Sequence, residues 1–195
     1  GETGCIDAGD ADAVFAALEE KQWTLTHLFI THHHGDHTAG LAAIKARTGC
    51  QVIGPGHASS PIAGVDRQVR DGDRIDFAGL PVEILHTPGH TTDMINYYFP
   101  TEKLVFTGDT LFVLGCGRLF EGTPEMMWRS LSKLAALPTD TTVYCSHEYT
   151  QSNARFALSV DPDNRTLQAR ATEIEELRAA GRPTVPTVLA TELAT

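Results

Sequence analysis

The chain has 195 residues, 42% of them hydrophobic, and its 25 acidic against 15 basic side chains give a net charge of −10. This length fits one domain with a sizeable core and room for a small appendage. The negative balance excludes partners held through phosphate charge, so neither nucleic acid nor an anionic membrane surface is expected. No apolar run reaches the length of a bilayer span. The four cysteines, Cys5, Cys50, Cys116 and Cys145, form no C-x-x-C pair, which points to reduced thiols in a cytoplasmic, monomeric protein rather than to a cysteine zinc knuckle or a disulfide framework.

Taken in chain order, the opening "GETGCIDAG" lacks an initiator Met. The β-branched and aromatic run "LTHLFIT", residues 25–31, predicts a buried strand, and "AGLAAIKARTG" predicts a helix with Gly49 at C′. "DRIDFAGLPVEILHT" predicts two strands around a Gly-Leu-Pro turn, and "INYYFP-TEK-LVFTGD" a second hairpin, both antiparallel. Thr123 before Pro124 is a helix start for "PEMMWRSLSKLAAL", and "TTVYCSH" gives a final strand. Beyond Tyr149 the character changes: Leu167, Ala171, Ile174 and Leu177 mark one face of a helix over residues 164–180, which "GRPTVP" stops. An α/β unit over residues 1–149 is therefore expected to carry a small helical appendage over 150–195.

Between the first strand and the helix after it lies "ITHHHGDHTAG", where four of the nine histidines fall within six residues. In extended chain His32 and His34 project to the same side and His33 away, so His33 is expected to be idle. Asp36 and His37 follow where the chain turns. Taken alone, the run is also compatible with a polar, histidine-rich loop. Three later turns each add a candidate just past a strand: His90 in "HTPGHTT", Asp109 in "VFTGDTLF" and His147 in "VYCSHEYT". The seven candidates divide into His32, His34 and His90 for one metal ion and Asp36, His37 and His147 for another, with Asp109 between them offering two oxygens. Asp7 is either an acceptor for a ligand imidazole N–H or an ordinary turn aspartate. His27, His57 and His86 are assigned structural roles, and Cys145 and Ser146 packing roles.

The spaced His-x-His-x-Asp-His, His, Asp and His set resembles the metallo-β-lactamase superfamily. Within it, "THHHGDH", "TPGHT", "FTGDTLF", "GCGRLFEGT" and "HEYT" look like the glyoxalase II, or hydroxyacylglutathione hydrolase, family along essentially the whole chain. The resemblance implies an αββα sandwich with the metals at one edge between two sheets and a short C-terminal helical appendage. It implies two divalent ions, zinc first with iron or manganese as alternatives, held by the same two histidine and aspartate groups and bridged by Asp109. Asp36 and Asp109 are then the catalytic carboxylates, and Arg118, Phe120 and Tyr149 the glutathione contacts, with Phe120 standing where tyrosine is usual. Between cations roughly 3.5 to 4 Å apart, water ionises near neutral pH and needs no serine or cysteine nucleophile. The implied reaction is hydrolysis of an S-(2-hydroxyacyl)glutathione, foremost S-D-lactoylglutathione, to D-lactate and glutathione. Alternatives are a lactonase, a β-lactamase-like enzyme, a persulfide dioxygenase, or an inactive metal-binding form. Against the family pattern the chain is expected to lack its first strand or two and a basic C-terminal tail. It also carries Ala8 where proline, and Ser146 where glycine, is usual.

Overall fold

Strand-like runs whose side chains alternate between two faces build two sheets, and the computed structural model describes them over residues 1–56 and 61–195. His57, assigned a structural role above, lies outside the described residues. The first sheet is parallel throughout, in the order β1 (Gly4–Ile6), β2 (His27–Phe29), β3 (Gln51–Pro55) and β4 (Arg67–Val69). Its first two connections carry helices, the usual crossover between parallel strands: α1 (Ala11–Lys21), then the single turn α2 (Gly35–Thr38) and α3 (Leu41–Thr48).

The second sheet runs in the order β12 (Thr187–Val188), β11 (Thr142–Cys145), β8 (Leu104–Gly108), β7 (Ile95–Phe99), β6 (Leu80–His86) and β5 (Arg74–Phe77). Only β11 with β8 is a parallel pair in it. A two-stranded hairpin, β9 (Leu111–Phe112) with β10 (Gly115–Cys116), stands apart. Helices α4 (Pro124–Ala135) and α7 (Leu189–Ala194) cover this sheet, and α5 (Thr150–Val160) pairs with α6 (Arg165–Ala179).

Side-chain alternation explains the layering. Along β7, Ile95, Tyr97 and Phe99 join Phe29, Ile53, Val69, Ile75, Val82 and Ile84 between the sheets, whereas Tyr98 faces Val105, Val143, Leu134 and Leu189 on the far side. Leu28, Ile30 and Val52 turn outward to meet Leu41 and Ile44 of α3. The result is the expected αββα sandwich. Each of these fully buried aliphatic side chains contributes about 1.5–3 kcal/mol. The Tyr97 hydroxyl, wholly buried, donates to the Ile30 and Ile53 carbonyl oxygens and so bonds one sheet to the other.

Two local expectations change. The β5–β6 turn is Ala78–Gly79, both at positive φ (58° and 85°), not Gly-Leu-Pro, because Leu80 and Pro81 pair with Phe77 and Asp76 in the ladder. The strand expected over 25–31 narrows to β2: Ile30 still donates to the Ile53 carbonyl, but the Thr31 N–H is taken by the Asp7 carboxylate. Among the described residues no helix is long and apolar enough to cross a membrane.

Candidate metal centre

The ladder of β2 stops at the point where the chain must turn its histidines inward. Asp7, leaving β1 at φ 60°, adopts the left-handed conformation that aspartate tolerates better than most residues. One of its carboxylate oxygens accepts the Thr31 N–H at 2.8 Å, and the other accepts the Thr31 hydroxyl at 2.9 Å and the His37 Nδ1–H at 2.7 Å. Asp7 is thus an imidazole acceptor, not an ordinary turn residue. Asp36 and His37 ride on α2, a short helix inserted ahead of the predicted one, while His90, Asp109 and His147 follow β6, β8 and β11. Strands of both sheets therefore deliver the set from rigid elements.

Three ring nitrogens converge first. His34 Nδ1 is 3.1 Å from His32 Nε2 and 3.0 Å from His90 Nε2, close to the roughly 3.3 Å that separates donors placed about 2.0–2.1 Å from a tetrahedral ion. Beside them, His147 Nε2 is 3.4 Å from Asp36 Oδ2, and His37 Nε2 is 3.7 Å from the same oxygen. The Asp109 carboxylate lies between the groups, with Oδ1 3.4 Å from His37 Nε2 and Oδ2 3.4 Å from both His90 Nε2 and His147 Nε2. All seven sequence candidates are thereby brought together, in the two sets that their spacing indicated.

The bonds behind the rings aim them. His90 Nδ1 donates to the Arg118 carbonyl at 2.7 Å and His37 Nδ1 to Asp7, so both Nε2 lone pairs face the centre. His32 Nδ1 stands 3.0 Å from the Thr31 hydroxyl. Burial, followed by the neighbouring His37, His90 and His34, holds the His32 pKa far below its usual value, and burial with His90 and His33 lowers that of His34. His37 moves the other way: burial pushes it down, but the Asp7 hydrogen bond and the charges of Asp7, Asp109 and Asp36 outweigh it.

The structure supplies its own test of fit for cations. His37 Nε2 and Asp109 Oδ1 are buried and have no hydrogen-bond partner, an arrangement that costs roughly 1–3 kcal/mol per atom. They face one another across 3.4 Å, so a cation between them satisfies both. The donor set of imidazoles and carboxylates suits such ions, and the residues fit a pair of divalent metals. Close approach is also built in. A Cβ on Gly117 would strike the Asp109 carbonyl and crowd His90 Nδ1, and one on Gly9 would strike the Asp36 carbonyl.

In front of the centre opens a cavity of about 450 Å³, whose walls include Arg118, Phe120, Phe112 and Tyr149. The Tyr149 ring stacks on His147 at 4.9 Å, Phe120 sets its ring edge-on to His34 and His90, and the Arg118 guanidinium hangs 5.9 Å from the Phe120 ring. Burial pushes the Cys145 thiol up to about 11, far from a nucleophile's range. His27 packs against Phe29 and Phe77, and His86 Nε2 meets the Thr92 carbonyl at 2.9 Å, in keeping with structural roles.

His33 departs from expectation. It is not idle: Nδ1 lies 2.9 Å from Asp93 and Nε2 3.3 Å from Glu121. Period-two alternation turned its ring away from His32 and His34 but carried no sign of what waited there. Asp93 carries no motif, and Glu121 is visible in the sequence only as part of "FEGT".

The family model described as "Metallo-beta-lactamase superfamily" matches residues 6–147, and the one described as "Hydroxyacylglutathione hydrolase C-terminus" matches residues 148–195. A hydroxyacylglutathione hydrolase of Brucella anthropi is 56% identical over 99% of this chain and 74% of that relative. Among solved structures, ETHE1 from Myxococcus xanthus has a TM-score of 0.67 and 36% identity, covering 76% of this chain and 66% of that one. TTHA1623 in a di-iron-bound form has a TM-score of 0.63 and 25% identity, covering 73% and 80%.

Proposed function

Because the chain belongs to the metallo-β-lactamase superfamily, and within it to the hydroxyacylglutathione hydrolases, we propose that it hydrolyses S-(2-hydroxyacyl)glutathione thioesters, S-D-lactoylglutathione foremost, to the 2-hydroxy acid and glutathione. The observation that carries this reading is the hydroxyacylglutathione hydrolase C-terminal region, matched from residue 148, directly after His147 at the metal centre. In this reading residues 1–149 form the catalytic unit and 150–195 the helical substrate-binding region.

His32, His34 and His90 would hold one divalent ion and Asp36, His37 and His147 the other, with Asp109 available to both; the di-iron form of TTHA1623 supports two positions on this fold. Zinc is the first ion to test, since imidazole suits it and sites of nitrogen and oxygen donors generally bind it more tightly than iron(II) or manganese(II). When bound, two such ions supply a hydroxide nucleophile at neutral pH and Lewis acidity at the thioester carbonyl. The protein's part is placement. Asp7 keeps the His37 proton on Nδ1, the Arg118 carbonyl does the same for His90, and Asp36 and Asp109 contribute the negative charge that balances the ions. Arg118, Phe120 and Tyr149, which line the cavity, bind the glutathione moiety.

The experiment is to strip the protein with a chelator, reload it with zinc, iron or manganese, and compare S-D-lactoylglutathione with a lactone, a β-lactam and a persulfide. Thioester cleavage that vanishes on stripping, returns with two equivalents of metal and exceeds turnover of the other substrates is the expected result. Preference for any of the others overturns the substrate assignment.

A further inference from the structure

Three chain segments meet at the first group of histidines: the loop after β2 with His32 and His34, the β6–β7 loop with His90, and the loop after β10 with Arg118 and Phe120. We propose that His33 is a positioning residue that, through Asp93 and Glu121, locks these three segments together and so sets the affinity of the His32–His34–His90 position. The inference rests on the assignment of that position given above.

The His33 ring spans the junction. Its Nδ1 reaches the Asp93 carboxylate at 2.9 Å, just ahead of β7, and its Nε2 reaches Glu121 Oε1 at 3.3 Å. Glu121 Oε2 then accepts the Thr92 N–H at 2.7 Å and the Thr92 hydroxyl at 2.8 Å. The Phe120 and Glu121 N–H groups point to the His90 carbonyl at 3.1 and 3.4 Å. Every member is within three positions of a residue whose ring nitrogen or ring edge faces the first group. Asp93 has no solvent exposure, so loss of its partner leaves a buried carboxylate unpaired, the costly way to break such a contact. Glu121 is more exposed, which makes its arm the weaker one. Among the described residues none of these bonds reaches Asp36, His37 or His147, and the effect is accordingly confined to one position.

A merely structural role would loosen both positions alike, and the test separates the two cases. Wild type, His33→Ala and His33→Asn are loaded with zinc and titrated with a competing chelator, while bound zinc is counted and the melting temperature of the stripped protein is followed. Removing a residue that orients metal-ligand groups typically weakens the ion about 10–100-fold. His33→Ala is expected to release one of two ions at about tenfold lower chelator concentration and the other at the wild-type midpoint. His33→Asn, whose amide stands where Nδ1 stood and keeps the Asp93 arm, recovers most of the shift.

The backgrounds identify the position. With His147→Ala, His33→Ala weakens the remaining ion by the same factor; with His34→Ala it leaves the remaining ion unchanged. Equal shifts of both ions, or no shift, overturn the positioning role while the dinuclear centre stands. A third ion in wild type that His33→Ala removes overturns it in favour of a metal site of its own. Fewer than two ions in wild type refutes the dinuclear reading itself, and the positioning role with it.

Discussion

The two proposed ligand groups share Asp109 and one edge of the sandwich, yet they are built differently. The first is made of three nitrogens from loops that are stitched to one another, and His32 and His90 are almost wholly buried. The second includes a carboxylate, Asp36, that is 61% exposed, and His147, which is a quarter exposed; only His37 is buried. The first group is finished within the α/β unit. The second depends on its neighbours in the C-terminal region: Glu148, next to His147, accepts both the Thr184 hydroxyl and the Thr184 N–H and lies 3.9 Å from Arg178, while Tyr149 stacks on His147. Both groups border the cavity, and the more open one is the seat coupled to the helices.

The sharpest way to break this comparison is to delete one nitrogen from each group. His34→Ala and His147→Ala should each leave one metal ion per chain by elemental analysis. Each should lower hydrolysis by about 10²-fold or more, the scale of losing one preorganised electrostatic stabiliser. Both ions lost from either variant would mean that the groups are not separate seats.

Next in size is Asp7→Asn. The carboxylate is nearly isosteric with the amide, but an amide N–H would face His37 Nδ1 as a second donor. The ring would then move its proton to Nε2, the nitrogen aimed at Asp109 and the second group. Affinity for one ion should fall about 10–100-fold, with the His32–His34–His90 position retained. A uniform loss at both positions would show that Asp7 acts through the fold and not through the tautomer.

A smaller effect is expected from Thr184→Val, which removes the hydroxyl bonds to Glu148 and Thr150 and keeps the backbone N–H bond. Glu148 keeps some solvent, so the cost should be about 1–1.5 kcal/mol, a fall of a few degrees in Tm for a chain of this size. If the second group is coupled to the helices, KM should rise with little change in kcat. An unchanged KM beside the lowered Tm would uncouple the helices from the seat.

How much of this was legible in sequence follows from range. Cap chemistry acts over a few residues, so Thr123 before Pro124 marked the start of its helix, and the apolar spacing of Leu167, Ala171 and Ile174 marked the buried face of the helix over 164–180. Histidine spacing and the strand-end position of His90, Asp109 and His147 marked the residues that converge. Partners set by tertiary packing left no local trace: His33 meets Asp93 sixty positions away, and β2 ends early because Asp7 captures its next N–H. The β5–β6 turn was misplaced because Gly79 and Pro81 are both turn formers, and the ladder register decides between them.

The smallest change probes the open side of the centre directly. Phe120 is 61% exposed, and its side chain touches His34 and His90 through the ring, so Phe120→Tyr keeps those contacts and adds a hydroxyl at the wall of the cavity that Arg118 also lines. One neutral hydrogen bond to a bound glutathione, made at a rim where water competes, is worth about 0.5–1 kcal/mol, which is a two- to fivefold lower KM with kcat unchanged. Because the new group stands on the first group's side of the cavity, metal content at both positions should stay at the wild-type level. A fall in kcat instead would mean that the Phe120 ring orders His34 during turnover, and the closed seat would then be less rigid than its burial implies.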